Sequence, residues 1–235
     1  MRPEVLVAPV RQLLDRLAAD VSVEAAHASS RRGLFAMALP GGSVGVHSFP
    51  VLATVLLDWD VTHIFWADER AVPASSPDSN FGLADSLWLR KSGASLSSIH
   101  PMHADHPDLK AAAVAYGEEL VRVLGKTPRL DLLLLGVGPD GHVASLFPGH
   151  SALSEEHRLA LPIVDAPKPP PRRLTLTLPM LTSAERVIVM ALGESKAAIM
   201  REALRQKDAQ LPVSLVLRRA HRPLVLLDEE AGARV

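Results

Sequence analysis

An aspartate and a histidine one residue apart, Asp140 and His142, lie in the glycine-broken segment Gly136-Val137-Gly138-Pro139-Asp140-Gly141-His142. A carboxylate beside an imidazole suits proton transfer near neutral pH: unperturbed histidine titrates at about 6.5, and a neighbouring carboxylate can orient the ring. The segment follows the apolar run at residues 131–135, the right length for a strand buried on both faces. Ligands of open parallel sheets sit just beyond the carboxyl ends of strands, so the pair falls where a catalytic group is expected. Asp and Gly are also ordinary turn residues. A backbone-capping Asp with a solvated His at the tip satisfies the same spacing.

Four other groups could bind an anion. Pro40-Gly41-Gly42-Ser43 lies between an apolar run and a helical pattern. A strand, a glycine turn and a helix start form a phosphate cradle, in which free N–H groups and the helix dipole favour negative charge; Ser43 as a plain N-cap is the alternative. Asp68-Glu69-Arg70 sits directly at a strand end, at the mouth of such a site or as a solvated ion pair. The loop Asp165-Ala166-Pro167-Lys168-Pro169-Pro170-Pro171-Arg172-Arg173 is stiffened by prolines, which lowers the entropy cost of presenting its cations; a basic linker is the alternative. Lys196 falls in the first turn of a helix, where its charge opposes the dipole unless an anion is near. His100, His103 and His106 have a spacing that invites a metal. Pro101 and Pro107 argue against one helix presenting all three, and no acid pattern completes a site, so no metal or cofactor is assigned.

The elements that must position these groups follow from apolar periodicity. Strands are expected over residues 4–8 at an edge, 34–39, 61–66, 131–135, 159–164, 174–177, 186–192, 213–217 and 223–227. Helices are expected over 10–30, 46–58, 79–89 and 109–124, as a short turn over 178–184, and after the 193–196 segment to about 206 with Lys196 in the first turn, with a frayed polar tail over 228–235. Phe81 and Trp88 read as packing residues. Apolar runs alternating with helices imply an α/β fold with a mostly parallel sheet covered on both faces, in a single domain over residues 1–235.

The 235-residue chain is 48% apolar but only 4% aromatic, so Leu, Val and Ala must build the core. It has no cysteine, which excludes disulfides and thiolate chemistry and fits a cytoplasmic protein. The net charge of −1 and the lack of a long basic block indicate no nucleic-acid partner. No apolar run reaches the roughly 18 residues of a membrane span, and the first residues do not read as a signal peptide. No GxGxxG with a following acid suggests a dinucleotide. A monomer or small homo-oligomer is expected.

The stretch GVGPDGHVASLFPGH, residues 136–150, resembles the signature segment of the 6-phosphogluconolactonases and, less closely, that of the glucosamine-6-phosphate deaminases. Gly41 to Ser43, Asp68 to Arg70 and Lys168 to Arg173 appear in the order that family has them, and the resemblance runs from about residue 35 to 228. It implies a modified Rossmann-like, three-layer α/β fold. It also implies hydrolysis of 6-phospho-D-glucono-1,5-lactone to 6-phosphogluconate in the oxidative pentose phosphate pathway. The partner would be a phosphorylated sugar lactone, with no cofactor.

In that expectation His142 takes the proton from water and later protonates the leaving ring oxygen. Asp140 or Asp68 orients it, and Arg70 stabilises the oxyanion or holds phosphate. Gly41, Gly42, Ser43, Lys168, Arg173 and Lys196 form the anion pocket, with Arg173 preferred to Arg172 because it directly precedes a strand. The deaminases have Phe-Asn-Glu where this chain has Ser145-Leu146-Phe147, and Tyr in place of Arg70, so both departures point to the lactonases. A non-catalytic sugar-phosphate sensor is the remaining alternative; such proteins carry a helix-turn-helix in front, and the first residues here are not basic. Val44 and Val143 stand where the family often has threonine, which removes hydroxyls that could meet phosphate.

Overall fold

A computed structural model describes residues 3–206 and 209–235. The elements in chain order are β1 (Glu4–Val7), α1 (Val10–Arg32), β2 (Phe35–Leu39), α2 (Gly42–Leu52), β3 (Thr62–Trp66), β4 (Asp68–Arg70), α3 (Asn80–Leu87), α4 (Leu109–Leu124) and β5 (Leu132–Gly136). They continue with β6 (Ala160–Ile163), β7 (Arg173–Leu176), α5 (Leu178–Ser183), β8 (Arg186–Ala191), α6 (Ala197–Arg205), α7 (Pro212–Arg219), β9 (Pro223–Leu227) and α8 (Glu229–Gly232).

Six strands form one sheet in the order β1-β9-β8-β5-β2-β3, with every pairing parallel. Its inner strands are buried along their length, as continuous apolar runs require when helices cover both faces. The expected three-layer, mostly parallel α/β fold is the one observed. From β2 the chain crosses over to β3 on one side; from β5 it goes on to β8 and β9 on the other. The order therefore reverses between β2 and β5, which are hydrogen-bonded neighbours through Met37–Leu132 and Ala38–Leu133. A crevice opens at the carboxyl ends of two such strands, and the Gly41 turn and the Asp140–His142 loop leave from those ends.

Three expectations are corrected. Residues 213–217 are not a strand: Pro212 starts α7, its fixed φ suiting the first helical position, and Val213, Val216 and Leu217 are buried on one helical face. Residues 228–235 are not a frayed tail, because Asp228 caps α8 by accepting from Ala231 N and Ala231 is fully buried. Asp68–Arg70 is not an irregular strand end but β4, which pairs antiparallel with β7 in a second sheet of order β4-β7-β6. In addition, α2 begins at Gly42 rather than residue 46 and ends at Leu52 rather than residue 58. Trp88 and Phe81 pack as expected, Trp88 against Phe49 and Phe81 edge-on against Trp66. Among the described residues, no helix is long and apolar enough to cross a membrane.

Candidate active site

Beyond β5 the chain makes a tight, buried loop rather than a solvated tip. Gly138 N donates to His142 O (2.8 Å) and Gly141 N to Gly138 O (2.9 Å). Val143 and Leu146 are fully buried and Phe147 nearly so, which anchors the loop in the core. Gly141 has φ +83°, a conformation that glycine adopts without Cβ strain, and its carbonyl accepts from Val213 N at the start of α7.

This loop sets His142 and Asp140 side by side. His142 Nδ1 lies 2.5 Å from Asp140 Oδ1, so the ring donates its Nδ1 proton to the carboxylate. Nε2 then carries the lone pair, and it has no protein partner among the described residues. Burial pushes the His142 pKa below the ordinary imidazole value, against the opposing pull of Asp140. Burial raises the Asp140 carboxyl, but the hydrogen bond from His142, helped by Lys168, outweighs it and leaves the pKa below the usual range. The pair is therefore a neutral imidazole on an ionised carboxylate at neutral pH. The ring also rests on Phe147, with centroids 4.7 Å apart.

The cleft beside His142, about 190 Å³ in volume, lies at the topological switch and is walled by Gly41, Gly42, Ser43, Asp68, Arg70, Arg173 and Lys196, among others. Gly41 is the N-cap of α2, so free N–H groups and the positive end of that helix border the cleft. The register of the small sheet puts Arg70 directly opposite Arg173. Like charges facing across strands are unfavourable unless an anion lies near them. Burial lowers the Arg173 pKa, and the charge of Arg70 adds to the effect. Burial likewise lowers Lys196, and the Lys168 charge pushes it the same way. Three cations thus wait partly desolvated around one space.

The candidate residues fall in different places. Asp68 does not touch His142: its carboxylate accepts from Ser145 Oγ (2.6 Å) and Asn80 Nδ2 (3.1 Å). Arg172 turns outward and donates to Pro107 O, whereas Arg173 reaches the cleft and donates to Ser145 Oγ and to the carbonyls of Lys168 and Pro170. Lys168 does not wall the cleft; its Nζ lies on Asp140 Oδ1 (3.2 Å). Val44 is buried in the cleft wall, and Val143 is fully buried in the loop.

Three supporting residues carried no assigned role in the sequence reading. Glu69 is buried and accepts from the backbone N–H groups of Arg70, Asn80 and Phe81 and from the Ser79 hydroxyl. Burial raises its carboxyl pKa against those three backbone bonds. Asn80 joins the Asp68 strand to the cradle: its Nδ2 donates to Asp68, and its amide leaves no room for a Cβ at Gly41. Ser145 links Asp68 to Arg173. The available signals were that Asn80-Phe81-Gly82 also resembles the family's sequence and that Ser145 lies within the signature stretch.

His100 is buried against Phe65, with Nδ1 on Glu119 (2.6 Å) and Nε2 facing His63 Nδ1 (2.9 Å), while His106 bonds to the backbone of Asp108. Among the described residues no three His, Asp or Glu side chains group as metal ligands.

Residues 9–225 match the family described as glucosamine-6-phosphate isomerases/6-phosphogluconolactonase. A 6-phosphogluconolactonase of Rattus norvegicus is 38% identical over 98% of this chain and 90% of its own length. One from Streptomyces coelicolor is 35% identical over 99% of this chain and 95% of its own. The structure of the 6-phosphogluconolactonase from Trypanosoma cruzi superposes with a TM-score of 0.88 at 26% identity, covering 100% of this chain and 97% of that one. With its switch-point cleft, its histidine–aspartate pair and a sequence match over nearly its whole length, this chain belongs to the glucosamine-6-phosphate isomerase/6-phosphogluconolactonase family.

Proposed function

We propose that this protein hydrolyses 6-phospho-D-glucono-1,5-lactone to 6-phosphogluconate, the ring-opening step of the oxidative pentose phosphate pathway. One observation carries the reading: a neutral imidazole, fixed through Nδ1 on Asp140, bears its free Nε2 in a cleft walled by Arg70, Arg173 and Lys196. The relatives from Rattus norvegicus, Streptomyces coelicolor and Trypanosoma cruzi are named 6-phosphogluconolactonases, which supports the substrate class.

Water attacks the lactone carbonyl while His142 Nε2 takes its proton. The resulting tetrahedral oxyanion collapses, the ring C–O bond breaks, and the imidazolium returns the proton to the leaving oxygen. Asp140 holds the tautomer and offsets the charge on the transient imidazolium. Arg70 faces the oxyanion, where a preorganised cation in a partly desolvated site is most effective. The N–H groups of Gly42 and Ser43, with Lys196 and Arg173, hold the phosphate. Asp68 keeps Arg173 and the β4 strand in register through Ser145 and Asn80. Phe147 stands where a deaminase needs a proton-transferring glutamate, and a buried phenyl ring cannot serve.

The test generates the lactone in situ from glucose 6-phosphate and couples product to 6-phosphogluconate dehydrogenase, with the spontaneous rate subtracted. A general base typically contributes about 10²–10⁴-fold, so a folded His142→Ala variant should lose acceleration of that order. Full activity in that variant would remove His142 from the mechanism. A wild type that binds 6-phosphogluconate without accelerating hydrolysis would be a sensor.

A further inference from the structure

Lys168 differs from the other cations of the site. Arg70, Arg173 and Lys196 wall the cleft and Lys168 does not. Its Nζ lies 3.2 Å from Asp140 Oδ1 and 3.5 Å from His142 Nδ1. That carboxylate oxygen is the one that accepts the His142 Nδ1 proton. The lysine therefore stands on the Nδ1 side of the ring, with the proton-accepting Nε2 on the other. Its backbone is tethered: the Lys168 carbonyl accepts from Arg173 Nη2 (3.0 Å), and Arg173 Nε donates to Pro170 O (2.9 Å). Four prolines, at 167, 169, 170 and 171, stiffen the same loop.

We propose that Lys168 is a positioning residue for the Asp140–His142 pair, setting the basicity of the ring through the shared Asp140 oxygen, and that it is not a phosphate ligand. Its ammonium offsets part of the carboxylate charge that would otherwise hold His142 as imidazolium. The groups facing His142 are Asp140 from its own loop, Lys168 from the proline-rich loop and Asp68 from β4. Arg70, Arg173 and Lys196 occupy the other walls of the cleft. The two aspartates favour the protonated ring, and Lys168 opposes them. Phosphate is then left to Lys196, from the loop after β8, with Arg173 and the N–H groups of Gly42 and Ser43.

The inference rests on His142 as the base, but its test needs no turnover. The His142 ring is titrated by NMR in the full chain without substrate, its resonances assigned through a His142→Gln variant. In Lys168→Met the midpoint should rise by about half a pH unit or more, since an opposing charge has been removed, while Lys168→Arg should stay close to wild type. Affinity for 6-phosphogluconate should change by less than about threefold in Lys168→Met and weaken by about tenfold or more in Lys196→Met. An unmoved His142 midpoint in Lys168→Met, or a loss of affinity there as large as in Lys196→Met, would overturn the proposal. Lactone hydrolysis by the wild type is a separate assay, so an inactive wild type would reject the functional reading and leave the titration result standing.

Discussion

The imidazole of His142 rests against the backbone of Gly138. A Cβ built on Gly138 would fall 2.0 Å from ring atoms Cε1 and Nδ1 and 2.5 Å from Asp140 Oδ1. The glycine is thus the seat of the ring, and the bond from its N–H to the His142 carbonyl closes the loop that carries it. In Gly138→Ala the methyl must displace the ring. A displacement of about 1 Å costs on the order of 10²-fold in rate. The variant should fold, melt within a few degrees of wild type, and lose about that factor in kcat. Hydrolysis within about threefold of wild type would show that the ring position does not limit the chemistry.

A base acts only when unprotonated, so the acid limb of kcat/KM reports the His142 pKa in the free protein. Burial holds that pKa below the ordinary imidazole value. The limb should therefore fall below about pH 6.5, with activity retained as pH drops from 8 to that point. Asp140→Asn removes the charge that favours imidazolium, so it should move the limb lower still. It should also cost about 10²-fold or more in kcat, because an amide can hydrogen-bond either tautomer. An acid limb above pH 7 in the wild type would contradict the burial argument.

Glu69 is the buried anchor of the β4–α3 corner. Glu69→Gln places an amide NH₂ among the N–H groups of Arg70, Asn80 and Phe81, leaving at least one of them unpaired. An unsatisfied buried group costs about 1–3 kcal/mol, and each kcal/mol moves Tm by roughly 2–4 °C in a chain of this size. The melting temperature should therefore fall by roughly 2–12 °C. kcat should fall with it, because Asp68 and Arg70 flank the anchor. An unchanged Tm would mean that the corner is held by other contacts.

What could be read in advance divides along physical lines. Apolar runs buried on both faces have few alternatives, so β2, β5, β8 and β9 were legible from local pattern. The run beginning at Pro212 had a second option, since a short apolar stretch fits strand or helix; Pro212 at the first helical position and the bond from Val213 N to Gly141 O go with α7. Asp68–Arg70 is a strand because of a partner a hundred residues away, which no local pattern encodes. The site followed the same rule. Asp140 and His142 are neighbours in sequence and were found together. The Ser145–Asp68, Asn80–Gly41 and Lys168–Asp140 contacts exist only once the two sheets are placed.

The chain end, expected to fray, instead braces the loop that carries Lys196. Asp228 accepts from Gly193 N with both carboxylate oxygens (3.0 and 2.9 Å) and from Ala231 N at the start of α8. Gly193 has φ +89° and begins the turn Glu194–Lys196, which presents Lys196 to the cleft. Asp228 therefore clamps the loop that carries a pocket lysine. In Asp228→Ala the cap is lost, at about 1 kcal/mol, and the Gly193 turn loses its acceptor. Tm should fall by roughly 2–4 °C, as that energy implies for a chain of this length. KM for the lactone should rise by about threefold to tenfold as Lys196 loses its fixed position, while kcat, set at His142 on another loop, should change by less than about twofold. A fall in kcat with KM unchanged would place Lys196 in the chemical step rather than in binding.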